Sequence, residues 1–319
     1  MKLKLPIADC QLPIHRQGAA TFAKSIVNRQ SKIKNGFPLI EVLVVMILLS
    51  LIVLALMAVF NTAQSAFRTG VTQTDVLEGG RATMDLLAAD ARMMAPSLSV
   101  SNGSVNFYAT NGSVPLVQPL VGSNTNRVNV LEHFFILSRN NVNGQDIWTG
   151  TGYMVDAGST NSLYPLYRFS ASTNAGAADP AVLFNAFLAA VNSGQRTNMS
   201  HLMDGVVNLT VRAYDNNGVW MTNGYTSLTN LTVKNALFFP PAWGEVGFEM
   251  FSNTLPASVE IDMGVLEDRT LQRAESLGIP GQSPQSVPAQ WNYLAQQAGA
   301  VHIFRQRVSI PNFDPSAYQ

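Results

Sequence analysis

Hydrophobic residues follow three successive patterns along the chain. A continuous apolar run covers residues 37–60 and contains one charge, Glu41. Residues 61–95 are polar overall, but apolar side chains recur there at the three- and four-residue spacing of one helix face: Met84, Leu87, Ala91 and Met94. After Pro96, short β-rich runs alternate with Asn, Gly, Ser and Thr. The pattern predicts an α+β chain with one long N-terminal helix followed by an antiparallel sheet.

The apolar run is long enough to cross a lipid bilayer. Its 24 residues, Phe37 to Phe60, would form a helix roughly 36 Å long, and the hydrocarbon core of a bilayer is roughly 30 Å thick. The 36 residues before the run carry seven Lys and Arg residues against one Asp. This excess of positive charge predicts a cytoplasmic N-terminus and an exported C-terminal part.

Glu41 is unusual because a carboxylate in hydrocarbon costs about 2.5–3.5 kcal/mol even on insertion scales. No Lys or Arg lies inside the run. Cleavage between Gly36 and Phe37 would create an α-amino group four residues before Glu41, on the same helix face. An ion pair at about 4 Å in an effective dielectric near 20 is worth on the order of 4 kcal/mol, which matches the insertion cost. Charge balance therefore favours cleavage at this position.

Residues 36–41 resemble the N-terminal motif of type IV prepilins, the family that includes pilins, minor pilins and type II secretion pseudopilins. The motif is a basic leader that ends in Gly, followed by Phe, a Glu as fifth mature residue and a long apolar helix; Gly36, Phe37 and Glu41 match it. Pro38 departs from the commoner Thr or Ser, but proline in a first helical turn loses no hydrogen bond. The resemblance implies cleavage after Gly36 by prepilin peptidase and N-methylation of Phe37.

Later segments are similar to those of J-type minor pseudopilins and related minor pilins. The similarity comprises an Asp-Gly-Val strand, an Asp turn before a Trp, a Leu-Pro-x-x-Val strand and a last strand with Arg, carried by Asp204, Gly205, Val206, Asp215, Trp220, Leu255, Pro256, Val259 and Arg305. The layout also resembles the prepilin-like Verru_Chthon cassette protein C family. These resemblances imply a pilin-like fold, with the long helix packed on an antiparallel sheet, in a minor subunit of a type II secretion or type IV pilus-like fibre.

The resemblance also implies partners and a location. The partners are prepilin peptidase, other pseudopilins or minor pilins, and the inner-membrane assembly platform. The chain would cross the bacterial inner membrane once, with its N-terminus cytoplasmic and its C-terminal domain periplasmic, before it enters a pilus or pseudopilus. Glu41 would then pair with an α-amino group during assembly.

The predicted domains are a basic leader (1–36), a transmembrane helix (37–60), an amphipathic helix continuation (61–95) and an exported β-rich domain (96–319). Two adjacent glycines, Gly79 and Gly80, predict a bend in the helix. The predicted strands are 104–109, 127–138, 151–156, 163–170, 206–214, 257–265 and 301–310. Helices are predicted at 179–192 and 266–278, and the Pro-, Gln- and Ser-rich segment 278–290 predicts a loop.

The sequence contains no catalytic or cofactor motif. His133, His201 and His302 stand alone, without a His-Glu-x-x-His pattern, and no phosphate or dinucleotide loop is present. The single cysteine, Cys10, lies in the leader, so the processed chain could form no disulfide. After cleavage Lys234 is the only lysine, which disfavours a nucleic-acid partner. We therefore predict neither an enzyme nor a cofactor.

Two local patterns allow alternative interpretations. Residues 215–218 (Asp-Asn-Asn-Gly) resemble part of a calcium loop but lack its alternating acids, and Asn-Gly favours a hairpin turn. Trp148, Trp220 and Trp243 could form a stacking surface for sugars, although aromatic residues in β-rich domains are more often part of the core.

Two alternatives also apply to the chain as a whole. The apolar run could be a secretory signal cleaved before Ala66, or a plain anchor in which Glu41 has no role. In the second case the chain would be a membrane-anchored exported protein whose β-rich domain recognises a ligand. Only the assembly hypothesis requires a new N-terminus at Phe37.

Overall fold

The computed structural model describes residues 38–98, 104–120, 122–176, 178–193, 196, 198–222 and 233–318. The chain divides into two compact units, an N-terminal unit (Met1–Asn61) and a C-terminal unit (Thr62–Gln319). Helix α1 extends from Leu39 to Arg92. In the N-terminal unit, every described side chain of this helix is exposed.

The C-terminal unit is α+β, and the pairs between its described strands are antiparallel, as the sequence predicts. Its described strands are β1 (Val105–Asn111), β2 (Leu116–Pro119), β3 (Asn126–Asn129), β4 (Glu132–Val142), β5 (Gln145–Val155), β6 (Leu166–Asn174), β7 (Met199–Met203), β8 (Val206–Tyr214), β9 (Ala236–Phe238), β10 (Phe248–Phe251), β11 (Ser258–Leu266) and β12 (Val301–Ser309). The further helices are α2 (Ala181–Asn192), α3 (Asp268–Ser276) and α4 (Pro288–Ala295).

The strands form one large sheet, one small sheet and a two-stranded ribbon. The large sheet has the order β7-β6-β5-β4-β1-β10-β9, the small sheet has the order β12-β11-β8, and β2 pairs with β3. Hairpin connections join β4, β5 and β6, so neighbouring strands there are also neighbours in sequence. In contrast, β10 pairs with β1 although more than half of the residues of the C-terminal unit lie between these two strands in sequence.

Strand β4 is buried on both faces of the large sheet, and its side chains alternate between two cores. Phe134 and Ile136 belong to a core that also contains residues of α1 and of the small sheet. Phe135 and Leu137 point to the opposite face and pack in a second core with residues of α2. Because successive side chains of a strand point to opposite faces, one apolar strand can contribute to a core on each face of the sheet.

The C-terminal part of α1 packs into the first core through the predicted apolar face. Met84, Leu87, Ala91 and Met94 are all buried. The helix continues through Gly79 and Gly80 without interruption. A Cβ atom at Gly80 would lie 2.3 Å from the Cζ atom of Phe304, so a side chain at this position requires the Phe304 ring on β12 to move.

Two predicted segments are wrong in detail. The single strand predicted at 127–138 is two strands, because the chain leaves the ribbon at Val130 and contacts β8: Val130 N–H donates to Asn208 Oδ1 at 3.0 Å. The loop predicted at 278–290 contains a 3-10 turn (Pro284–Ser286) and the start of α4 at Pro288. Proline is tolerated in a first helical turn, so a Pro-rich composition did not exclude a helix there.

Candidate functional site

Helix α1 contains a segment that is long and apolar enough to cross a membrane. This segment is Leu39–Phe67, with a mean hydropathy of 3.3 in its apolar window, and none of that window is buried by the rest of the protein. Its 29 residues would span roughly 44 Å as a helix, which exceeds the roughly 30 Å hydrocarbon core. The chain is thus consistent with a single-pass membrane protein.

Glu41 lies in the first turn of α1, and no other Asp, Glu, Lys or Arg occurs between residues 38 and 67. Its backbone N–H donates to the carbonyl oxygen of Pro38 at 2.8 Å, and the helix begins at the next residue, Leu39. A carboxylate in the first turn interacts favourably with the partial positive charge of the helix N-terminus. The predicted cleavage and methylation positions, Gly36 and Phe37, lie outside the described residues.

The hydroxyl group of Ser50 lies in the middle of the apolar segment. Ser50 Oγ donates a hydrogen bond to the carbonyl oxygen of Met46 at 2.5 Å. A serine that bonds to the preceding turn satisfies its own polar group without a partner helix. Ser50 therefore has a hydrogen-bond partner within α1, and Glu41 is the one charged residue in residues 38–67.

The opposite end of α1 is fixed to the large sheet by an ion pair that the sequence analysis missed. Arg168 donates to Asp90 through Nε to Oδ2 at 2.8 Å and through Nη2 to Oδ1 at 3.2 Å, and the Tyr153 hydroxyl also donates to Asp90. Burial and the nearby carboxylate raise the pKa of Tyr153, and the hydrogen bond to Asp90 raises the pKa of Arg168. Directional bonds thus determine where the helix lies on the sheet.

The three histidines are in separate places. His133 lies on β4 beside the rings of Tyr108 and Phe187, and burial lowers the pKa of its imidazole to about 4. His201 Nε2 contacts Asp204 Oδ1 at 2.9 Å, and His302 Nε2 on β12 has no hydrogen-bond partner among the described residues. Within that described part of the chain, no three His, Cys, Asp or Glu side chains are grouped to hold a metal ion.

The residues proposed as a partial calcium loop form a turn. Asp215 Oδ1 accepts backbone N–H groups from Asn217 at 2.9 Å and from Val219 at 2.7 Å. Gly218 has φ +78°, a conformation that glycine adopts without strain. The Asp215 carboxylate therefore closes the turn, as Asp side chains do in Asx turns.

The three tryptophans considered for sugar stacking are in different environments. Trp148 is buried in the core next to α2, and the guanidinium of Arg139 lies 5.2 Å from its ring centre. Trp220 is half-buried with Arg212 at the same distance. Trp243 is 59% exposed. Because Arg139 and Arg212 each cover one ring, these residues do not present three open faces to a sugar.

A buried carboxyl group, Glu132, is another feature that local sequence does not reveal. Its Oε2 accepts the Val211 N–H at 2.6 Å, and its Oε1 has no hydrogen-bond partner among the described residues. Burial raises the pKa of Glu132 to about 8. Nearby, Arg212 binds Glu245 through Nε at 2.9 Å and Nη2 at 2.5 Å. These groups connect β4, β8 and the segment before β10.

Comparisons with family models, with curated proteins and with solved structures give no match for this chain. The functional interpretation therefore depends on the chain's own features. Of these, the apolar segment with Glu41 in its first turn is the most specific.

Proposed function

We propose that this chain is a minor subunit of a type II secretion pseudopilus or a type IV pilus-like fibre, processed by prepilin peptidase and assembled through helix α1. One observation carries the proposal. A single helix, Leu39–Arg92, contains both an exposed segment of membrane length, with Glu41 in its first turn, and an apolar face that is buried against antiparallel strands.

The exposed apolar segment has to be covered by something other than the rest of this chain. The large apolar side chains along its length are all exposed, from 46% at Val44 to 86% at Leu39. At roughly 25 cal/mol per Å² of apolar surface, leaving such a segment in water is strongly unfavourable. Lipid covers it before assembly in our proposal, and the same segments of neighbouring subunits cover it in the fibre.

Glu41 supplies the specificity of this association. In lipid, the hydrophobic effect does not drive apolar helices together, because lipid tails are as apolar as leucine. A charge pair between the Glu41 carboxylate and the α-amino group of a processed Phe37 adds an attraction between two defined positions and removes the cost of an unpaired carboxylate.

The packing of the C-terminal part of α1 supports a pilin-like arrangement. Met84 and Leu87 share one core with residues of both sheets, and Asp90 binds Arg168. The proposal places this unit in the periplasm and the leader in the cytoplasm. The expected partners are prepilin peptidase, other pseudopilins or minor pilins, and the inner-membrane assembly platform.

Replacement of Glu41 by Gln tests the proposal because it removes the charge and keeps the shape of the side chain. We expect the Glu41→Gln protein to be inserted and cleaved normally but to lose copurification and crosslinking with its partner pseudopilins. Ser50→Ala is the matched control, since it removes a polar group from the same segment without changing the charge, and we expect normal recovery of the partners.

The same experiment separates assembly from simple anchoring. If α1 is only an anchor for an exported binding domain, Glu41→Gln lowers the insertion cost and has no effect on partner proteins. Recovery of partner pseudopilins at the wild-type level with Glu41→Gln would therefore contradict the assembly proposal.

A further inference from the structure

The buried carboxyl group of Glu132 lies opposite a second polar side chain with an unpartnered oxygen. Glu132 on β4 is paired with Asn111 on β1 in the antiparallel register. Side chains of directly opposed residues lie on the same face of a sheet, with their Cβ atoms about 4.5–5.5 Å apart. Glu132 Oε1 and Asn111 Oδ1 are both buried, and neither has a hydrogen-bond partner among the described residues. Two acceptor oxygens thus lie at neighbouring positions without a donor.

A proton on Glu132 satisfies both oxygens. A protonated carboxyl group has one O–H donor, whereas an ionised one only accepts. Glu132 Oε2 already accepts the Val211 N–H at 2.6 Å, so Oε1 is the oxygen that can hold the proton and donate to Asn111 Oδ1. Buried polar atoms in native proteins are nearly always hydrogen-bonded. Burial, which raises the pKa of Glu132 to about 8, favours the protonated form at neutral pH.

The nitrogen of the Asn111 amide holds a tight turn. Asn111 Nδ2 donates to the Ala242 carbonyl oxygen at 3.2 Å. Ala242 and Glu245 close this turn with reciprocal backbone hydrogen bonds of 2.9 and 3.1 Å. Trp243 in the turn is 59% exposed and has φ +57°, a conformation that large L side chains rarely adopt. A strained backbone of this kind persists only where the surrounding structure holds it in place.

The charged groups around Glu132 come from β8 and from the turn. Arg212 on β8 and Glu245 in the turn interact electrostatically with the Glu132 carboxyl group, and Arg212 binds Glu245 through Nε at 2.9 Å. Arg212 also lies 3.7 Å from the carboxylate of Glu260 on β11. On β1 the opposed side chain is the neutral Asn111. An ionised Glu132 would therefore be a third carboxylate around one guanidinium group.

We propose that Glu132 and Asn111 form a proton-dependent latch that holds the 242–245 turn. When Glu132 is protonated, its O–H donates to Asn111 Oδ1 and orients the amide so that Nδ2 binds the Ala242 carbonyl. When the proton leaves to solvent, the carboxylate accepts from Nδ2 instead, so the amide rotates and its bond to Ala242 breaks. The turn is then released, and the environment of Trp243 changes. The latch lies wholly within the C-terminal unit, so it does not depend on assembly through α1.

The test uses the full-length protein labelled with 5-fluorotryptophan, in detergent micelles, and follows its ¹⁹F NMR signals between pH 6 and pH 9. The chain contains four tryptophans, and each signal is assigned by replacing one tryptophan with phenylalanine. We expect the Trp243 signal to shift with a midpoint at about pH 8, because that is the pKa of Glu132. The signals of Trp148 and Trp291, which pack against the two cores, should stay in place because the release is local.

Two variants identify the group that titrates. Glu132→Gln keeps a donor for Asn111 and an acceptor for the Val211 N–H but cannot ionise, so its Trp243 signal should stay at the low-pH position up to pH 9. Glu249→Gln on β10 is the matched control, since it removes another carboxyl group whose pKa is raised by burial. We expect this control to show the wild-type titration.

A wild-type Trp243 signal that does not shift between pH 6 and pH 9, or an equal shift in Glu132→Gln, would overturn the proposal. A common shift of all four signals would do the same, because it would indicate unfolding of the unit and not release of a turn. The wild-type titration decides the question even if Glu132→Gln does not fold.

Discussion

Replacement of the buried Glu132 by Gln should change how the stability of the protein depends on pH. Glu132 is 1% exposed, and burial raises the pKa of its carboxyl group to about 8 because the charged form is disfavoured. Gln keeps the shape of the side chain and an oxygen for the Val211 N–H, but it does not ionise. The wild-type protein loses stability at alkaline pH because the buried Glu132 carboxyl ionises. The variant does not lose this part of its free energy of unfolding.

The magnitude follows from the difference between the folded and unfolded pKa values of Glu132. The ordinary value of 4.5 applies to the unfolded chain, so the protonated carboxyl favours folding below about pH 4.5, and this contribution is lost as the pH rises through about 8. The difference is about 3.5 pH units, or on the order of 5 kcal/mol at about 1.4 kcal/mol per unit. Between pH 5.5 and pH 8 about two of these units are lost, on the order of 3 kcal/mol, so at about 2–4 °C per kcal/mol the melting temperature falls by on the order of 10 °C.

The assay is thermal unfolding of the full-length protein in detergent, followed by near-UV circular dichroism between pH 5.5 and pH 8. Asp146, Asp179 and Asp314 have lowered pKa values, so they stay ionised across this range and do not affect the comparison. We expect Glu132→Gln to have the flatter pH dependence, and Glu78→Gln, which removes an exposed acid, to match the wild type. An equal fall in melting temperature for Glu132→Gln and the wild type would refute the reasoning.

Two further predictions concern the packing of α1. Asp90→Asn leaves Arg168 without its counter-charge and should lower the free energy of unfolding by about 2–3 kcal/mol in urea titrations; a change below about 0.5 kcal/mol would contradict the ion pair. Gly80→Leu should cost about 1–3 kcal/mol through its collision with Phe304, whereas Gly79→Ala, which has open space around it, should stabilise the helix by up to about 1 kcal/mol. Equal effects at the two glycines would contradict the close contact.

The sequence pattern predicted strands well where one sheet face is buried in a regular alternation. Strand β8, Val206–Tyr214, has the predicted bounds, and β11, Ser258–Leu266, is displaced by one residue. The pattern did not show that the second face of β8 is also covered. Asn208 is 8% exposed because its Oδ1 accepts the Val130 N–H, a contact made by a segment 78 residues earlier in the chain.

Strand β10 was missed because its position depends on a distant partner. Strand β10 has only four residues, Phe248–Phe251, yet it lies between β1 and β9 in the large sheet. Its pairing brings Phe251 opposite Val105, and nothing in a four-residue run specifies such a partner. Residues 223–232, which precede this region, lie outside the described part of the chain.

Features made by local sequence and features made by distant residues differ in the same way. The apolar segment and Glu41 are a local pattern, so sequence alone predicts a membrane helix and a charge that needs a partner. By contrast, the Glu132 carboxylate accepts the N–H of Val211, which lies 79 residues later in the chain, and only the folded chain brings these groups together. Asp90 and Arg168 are likewise distant in sequence, and each looks like an ordinary surface charge until the helix packs on the sheet.

Mass spectrometry of the mature N-terminus tests the central claim most directly. In cells with active prepilin peptidase, we predict a chain that begins at an N-methylated Phe37, which leaves 283 of the 319 residues after removal of the first 36. Replacement of Gly36 by Leu should leave the precursor uncut and still bound to the membrane. A wild-type chain that retains its leader, or one that begins at Ala66, would contradict the proposal that this protein is a processed pilin-like subunit.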